Sequence, residues 1–400
     1  MSKATTEQTG RRVYLDNAAT SWPKPPEVVA AIADFYTNGG SPAGRGNQTS
    51  EFSSDGIVRR CRSELQEFIG GDSRDQIAFA FNGTDAINMG LFGFLNPGDH
   101  VVTTSIEHNS VMRPLELLRQ NRELEISVVQ CGDDGKVPTD GIRDAIEPKT
   151  RLVIVSHASN VTGVIQNVQA IGEICRERDV AFMLDAAQTI GQLPVDVKSI
   201  GCDMLATAGH KGLMGPLGTG FLYIAENIAE QVQPWRAGGT GTKSELSSQP
   251  QEYPARLESG NLNVGGIAGL SAGLRFVQSV GVETIQQHKH RLVARLFERL
   301  ANEPKIKIYC ATESDRVGVL SLNIDEVDPR EAAMILDSSF GIQVRAGFHC
   351  SPGMHHSLKT VELGGTIRIS PGWFSTEAEV DLLANALVEI ASSCAFATDL

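Results

Sequence analysis

One lysine stands out by its setting. Lys211 lies in Ala206-Thr-Ala-Gly-His-Lys-Gly-Leu-Met-Gly-Pro-Leu-Gly-Thr-Gly220, where a short apolar run breaks into a glycine-rich turn. Sheet proteins place reactive groups at the carboxyl ends of strands. A lysine amine held there without its proton forms a Schiff base with an aldehyde. The turn is not a phosphate loop of the Walker kind, because no G-x-x-x-x-G-K-[ST] is present. A solvated loop lysine is the plain alternative.

Five further segments carry candidate chemistry. In Met183-Leu-Asp-Ala-Ala-Gln188 an aspartate follows an apolar run. Asp185 at a strand end suits a pyridinium nitrogen that must stay protonated, or the cap of a helix. Asn82-Gly-Thr-Asp-Ala-Ile-Asn88 opens a helix after a strand, so its N–H groups and the Thr84 hydroxyl form a phosphate cradle or an ordinary cap. Asp85 opposes an anion there unless its side chain turns away. Ser105-Ile-Glu-His-Asn-Ser110 puts His108 at another strand end, where an imidazole stacks on a planar ring, moves protons, or merely satisfies polar neighbours.

Arg345-Ala-Gly-Phe-His-Cys350-Ser-Pro-Gly surrounds a cysteine with glycines, an arginine and a histidine, a setting that favours a thiolate. A loop cysteine of ordinary reactivity is the alternative. A metal site from Cys350, His349, His355 and His356 fits no common zinc spacing, and no metal is expected. In Gly364-Gly-Thr-Ile-Arg368-Ile-Ser an arginine sits in a strand-like run. Buried, it needs an anion, either a substrate carboxylate gripped bidentately or a structural ion pair.

The elements that must position these residues alternate along the chain. Apolar, β-rich runs are expected as strands at 76–81, 100–104, 125–130, 151–156, 180–184, 204–207 and 220–224. Helical patterns lie between them at 85–95, 110–119, 139–146 and 168–178. Such alternation predicts an α/β fold with a largely parallel sheet between helices. Residues 236–263 are rich in Gly, Ser, Gln and Pro and read as a long functional loop or domain connection. Helices at 267–280 and 282–301, then strand and helix patterns at 317–324, 329–338, 366–370 and 376–392, suggest a smaller α+β unit.

Composition bounds the function. The 400 residues are 41% apolar and 21% charged, ordinary for a soluble globular chain of more than one core. The 35 basic against 48 acidic residues give a net charge of −13, which argues against a general nucleic-acid or membrane-surface binder. No run approaches a membrane span, and Met-Ser-Lys-Ala-Thr-Thr-Glu has no signal-peptide core, so the cytoplasm is the expected compartment. Seven widely spaced cysteines without a C-x-x-C argue against a disulfide framework or a structural zinc ribbon and leave most as core residues.

Taken together and in order, these segments resemble the class V aminotransferase-fold enzymes that use pyridoxal phosphate (PLP), and more narrowly the cysteine desulfurases of the NifS/SufS type. The resemblance rests on Tyr14-Leu-Asp-Asn-Ala-Ala-Thr20, Glu107-His-Asn, Ser159-Asn-Val-Thr-Gly163, Asp185-Ala-Ala-Gln188, Gly209-His-Lys-Gly, Gly238-Gly-Thr-Gly, Arg345-Ala-Gly-Phe-His-Cys350 and Arg368, and spans about 13–388. It implies a fold-type I PLP enzyme: a large domain (20–263) with a mainly parallel seven-stranded sheet, and a small domain (1–19 and 264–400) carrying the cysteine loop and Arg368.

It also implies roles. Lys211 is the Schiff-base lysine and proton carrier, and His108 stacks on the ring. Asp185 pairs with the ring nitrogen, and Gln188 with the ring hydroxyl. Asn160 lies near that hydroxyl or the substrate carboxylate, and Thr84 and His210 hold the phosphate. Asp85, Thr207, Thr240 and Asn261 complete the cofactor set. Asn17, Asn160, Arg345 and Arg368 face the substrate. Cys350 is the nucleophile that takes sulfur from L-cysteine and passes it to an acceptor protein or thiol. A homodimer is implied, with Thr240 near its seam, and no nucleic-acid or membrane partner.

Departures from the family pattern fall on Ala208 for a serine, Asn261 for a threonine, Ser375 for an asparagine, and Arg45-Gly-Asn-Gln48 for R-G-x-H. A selenocysteine lyase, another class V lyase or aminotransferase, and a non-catalytic scaffold in sulfur assembly are the competing functions.

Overall fold

A computed structural model describes residues 12–43, 53–241, 245–310 and 316–393. The strands are β1 (Val13–Tyr14), β2 (Gln76–Ala80), β3 (His100–Thr104), β4 (Glu125–Val129), β5 (Thr150–Ser156), β6 (Ala181–Asp185), β7 (Met204–Ala208), β8 (Gly220–Ile224), β9 (Ile306–Ile308), β10 (Leu320–Ile324), β11 (Ile342–Gln343), β12 (Arg345–Gly347) and β13 (Thr366–Ile369). Seven of them form one sheet in the order β2-β8-β7-β6-β5-β3-β4. Only β8 runs against its neighbours.

Alternation along each strand sends side chains to two faces. Val153, Val155, Phe182, Leu184 and Leu205 enter one apolar core, and Leu152, Ile154, Met183, Met204 and Ala206 the other. Burial on both faces explains why these strands read as unbroken apolar runs. All seven expected strands are present, each within a residue or so of its expected limits.

A four-stranded antiparallel sheet, β12-β13-β10-β9, forms a second unit with its own core of Leu296, Leu320, Leu322, Leu336, Ile367, Ile369, Leu383 and Leu387. β1 pairs parallel with β11 beside it. Helix Val264–Val280 buries Val264, Ile267, Leu270 and Leu274 in the large-sheet core. At Gly281 the backbone turns with φ 88° before helix Val282–Leu300.

The described part of 236–263 contains neither helix nor strand, as the loop reading expects. Arg45-Gly-Asn-Gln48 and Cys394 lie outside the described residues. No helix among the described residues is long and apolar enough to cross a membrane.

Candidate active site

Because β2, β3, β5, β6 and β7 run the same way, their carboxyl ends meet at one edge of the sheet. A cavity of about 200 Å³ opens there, lined by Thr84, His108, Ser110, Asn160, Asp185, Gln188, His210, Lys211, Arg345, His349 and Arg368 among others. Residues from both sheets thus converge on one space.

Register sets the first row. Ser156 faces Asp185 across β5 and β6, and Asp185 faces Ala206 across β6 and β7. Asp185 is buried, and its Oδ1 accepts from the Ala187 N–H at 2.9 Å. Burial raises its carboxyl pKa. Burial also pushes the Lys211 amine down to about 8, against the opposing pull of Asp185. The free amine is therefore accessible near neutral pH.

The Lys211 turn is pinned from outside. The His210 carbonyl accepts from Lys24 Nζ at 2.8 Å, Ser21 N at 3.0 Å and Thr20 Oγ1 at 3.1 Å. Burial lowers the Lys24 pKa to about 8. Nothing near Lys24 in the sequence signals this tie.

At the end of β3, His108 is the N-cap of helix Asn109–Arg122. Its Nδ1 accepts from Ser110 N at 3.0 Å, which leaves the ring proton on Nε2. Burial lowers the His108 pKa to about 4, with Lys211 next in effect, so the ring is neutral. Ser110 Oγ lies 2.7 Å from both His108 Nδ1 and Thr84 Oγ1. It supplies a second hydroxyl beside the first turn of helix Gly83–Phe94, on a wall where Ala208 offers none. The sequence reading gave Ser110 no role, because a serine two places past a histidine has no signature of its own.

Asp85 turns away from the cavity. Its carboxylate accepts from Phe81 N at 2.8 Å and pairs with Arg236 at 3.4 Å. Thr207 Oγ1 points to the Ala186 carbonyl at 3.4 Å and does not line the cavity. Asn17 also stays outside, donating to the Ser370 carbonyl at 3.1 Å and accepting from Trp22 N at 3.1 Å. Asn261 lines a separate recess with Phe81, Gly218 and Arg236, and Thr240 lines neither. Ser375 Oγ accepts from Gly372 N at 3.0 Å, again outside the cavity.

The Cys350 turn comes from the small unit but is fastened to the large one. Asn109 N donates to the Cys350 carbonyl at 2.7 Å. Ser351 Oγ approaches the Ile106 and Glu107 carbonyls at 2.9 and 2.8 Å. A Cβ on Gly353 would come within 2.5 Å of the Ser105 carbonyl, so only glycine permits this approach. His349 and Cys350 both take left-handed backbone, φ 49° and 61°. Asn160 Nδ2 donates to the His349 carbonyl at 2.6 Å, which gives that amide a positioning task. Half-buried Cys350 has its Sγ 3.5 Å from Arg345 Nη2. The imidazole of His349 has Nε2 3.0 Å from the Thr366 carbonyl, which fixes its proton there.

Below the turn, Glu107 is fully buried. It accepts from Thr104 Oγ1 at 2.6 Å, Ser156 Oγ at 2.6 Å and Ser156 N at 3.0 Å. Burial lifts its pKa to about 7 despite those bonds. Arg368 reaches the cavity from β13 with Asp16 Oδ1 2.6 Å from its Nη2. No cluster of three metal-ligating side chains occurs among the described residues.

Residues 13–383 match the aminotransferase class-V family. The chain is 37% identical over 384 residues to a "Probable cysteine desulfurase" of Methanothermobacter thermautotrophicus, covering 95% of this chain and 94% of that one. It is 31% identical to a "Cysteine desulfurase" of Serratia proteamaculans, covering 94% and 93%. Among solved structures, an apo cysteine desulfurase from Thermococcus onnurineus superposes with a TM-score of 0.88 at 32% identity, over 96% of this chain and 95% of that one. The S-sulfonic acid form of a cysteine desulfurase from Escherichia coli gives 0.84 at 26%, with the same coverage.

Proposed function

The chain belongs to the aminotransferase class-V family, and from that premise we propose that it is a PLP-dependent cysteine desulfurase, forming L-alanine from L-cysteine and holding the sulfur on Cys350. The observation that carries this is the Cys350 turn, tied to the His108 loop and set beside a cavity that also holds Lys211 and Asp185.

The residues present fit the cofactor. Gln188 Oε1 and His210 Nδ1 are buried at the cavity without a hydrogen-bond partner among the described residues. A ring hydroxyl and a phosphate would satisfy them. Asp185 spends one oxygen on Ala187 and keeps the other for a pyridinium N–H. Thr84, Ser110 and the N–H groups of the Gly83–Phe94 helix would hold the phosphate. Bound there, pyridoxal phosphate supplies an electron sink for the pair left when Cα loses its proton.

Lys211, neutral above about pH 8, takes the proton from Cα and returns one to the product. His108, held neutral by burial, would cover the ring face. Arg368 binds the substrate carboxylate. Cys350 Sγ attacks the substrate sulfur, with Arg345 beside it to pair with the thiolate. An S–S bond forms as the substrate Cβ–S bond breaks, and the electron pair stays with carbon. The carbon skeleton then gains its protons and leaves as L-alanine, so L-cysteine and a thiol become L-alanine and a persulfide with no outside oxidant. A thiol of an acceptor protein or small molecule takes the sulfur by exchange.

The dimer belongs to the same proposal. Asn261 and Thr240 lie away from their own chain's cavity, and Tyr36, Phe81 and Leu217 stand exposed. A second copy would cover these apolar groups and receive Asn261 near its phosphate.

Mass spectrometry after incubation with L-cysteine tests the reading. The expected result is one added sulfur on the peptide bearing Cys350. Alanine formed with no sulfur on Cys350 would overturn it.

A further inference from the structure

We propose that Asp16 sets how tightly this site grips a substrate carboxylate, by competing for Arg368. The inference rests on the desulfurase reading for the identity of that carboxylate.

Arg368 is 1% exposed and ranks among the largest fully buried side chains. A guanidinium in that position needs a counter-anion. Asp16 already provides one at 2.6 Å, and the Asn160 carbonyl accepts from Nη1 at 3.0 Å. Nε finds no partner among the described residues. The pair is built into the fold. Asp16 follows β1 and bridges Ser370, two residues beyond Arg368 on the same extended segment. Arg368 lines the cavity whereas the Asp16 side chain does not, so the aspartate acts through the arginine.

The consequence is electrostatic. A carboxylate entering the cavity meets an Arg368 whose charge is already balanced. It must share the guanidinium with a second carboxylate, and like charges on one fork repel strongly where water is scarce. The remaining attraction then comes from Arg345, which pairs with no carboxylate among the described residues and lies 3.5 Å from Cys350 Sγ. Substrate and product carry the same carboxylate. A fully available Arg368 would hold both equally, adding uniform binding that slows release without lowering the barrier. Asp16 weakens that grip and favours departure of the amino-acid product. It is a positioning and specificity residue, outside the reacting atoms.

The test compares ligands with and without a carboxylate on the PLP-loaded enzyme. Calorimetric dissociation constants are measured for L-alanine and for cysteamine, in wild type and Asp16→Asn. The amide keeps an oxygen for Arg368 and loses only the charge. L-Alanine should bind about tenfold tighter to Asp16→Asn while cysteamine stays within about twofold, as expected for removing one close like charge. Unchanged or weaker L-alanine binding, or an equal shift for both ligands, would overturn the proposal. If Asp16→Asn does not fold, Asp16→Ser removes the same charge and is read the same way. Failure of the desulfurase reading shows separately, as wild type forming no alanine from L-cysteine.

Discussion

The sheet side and the cysteine side of the cavity hold their reactive groups in opposite ways. Asp185 closes β6 beside β7, Lys211 follows β7 by three residues on a turn pinned through the His210 carbonyl, and burial moves both pKa values toward the neutral form. Cys350 is half-buried in left-handed backbone, on a turn fastened by Asn109, Ser351 and Asn160. The difference matches what the proposed function asks of each. Proton transfer, the task proposed for Lys211, gains from a rigidly held group. As the proposed sulfur carrier, Cys350 must reach the substrate and later present its load to a second molecule, and a half-buried place on a turn of the smaller unit suits that task.

Substitutions on each side should separate these tasks. The largest effect is expected on the sheet side. Lys211→Ala should lower alanine formation about 10²–10⁴-fold, the range for loss of a positioned acid–base group. Alanine formed at the wild-type rate would break the comparison at its root. Next is Ser110→Ala, which removes a hydroxyl from the wall where Ala208 has none. PLP should bind about tenfold more weakly, roughly one hydrogen bond to a charged group, as read by titrating apoenzyme with cofactor.

On the cysteine side, Ser351→Ala leaves the Ile106 and Glu107 carbonyls without their hydroxyl, which costs about 1–3 kcal/mol. Chemical denaturation checks that figure. Sulfur transfer should slow while PLP affinity keeps its wild-type value, since none of the proposed phosphate contacts lies on that turn.

The smallest effect concerns pH. Burial lowers His157 and His355 to about 4 from the ordinary 6.5. Between those values the unfolded chain binds more protons, so stability rises with pH there. The contribution is fully present above about pH 6.5 and is lost as the pH falls toward 4. His108 and His210, also lowered to about 4, add to this slope, while Glu107 and Asp185, raised by burial, oppose it. The four histidines outnumber the two carboxylates, so melting temperatures should be lower at pH 5 than at pH 7.

How much of this was legible in the sequence depends on the distance over which each feature is decided. The seven large-sheet strands are local apolar runs, and their shared direction brought Lys211, Asp185, His108 and Thr84 to one edge. Helices Pro26–Asn38 and Ser54–Phe68 lie outside the sequence reading, as do the short strands β9, β11 and β12, whose two or three residues carry no periodicity. Asp85 was doubtful from its charge, and only the Phe81 N–H and Arg236 show where it turns. The Arg368–Asp16 pair spans most of the chain. The reading left substrate carboxylate and structural ion pair open for Arg368, and the structure builds the ion pair at the cavity itself. Ser351, Glu107 and Lys24 act through backbone carbonyls or buried bonds that no spacing announces.

The most direct test of the central claim is the amount of sulfide and alanine formed from L-cysteine with a reductant, wild type beside Cys350→Ala. The account predicts equimolar sulfide and alanine from the wild type and neither from Cys350→Ala, while both proteins retain the yellow colour of bound cofactor. Equal alanine from the two proteins would contradict Cys350 as the sulfur carrier.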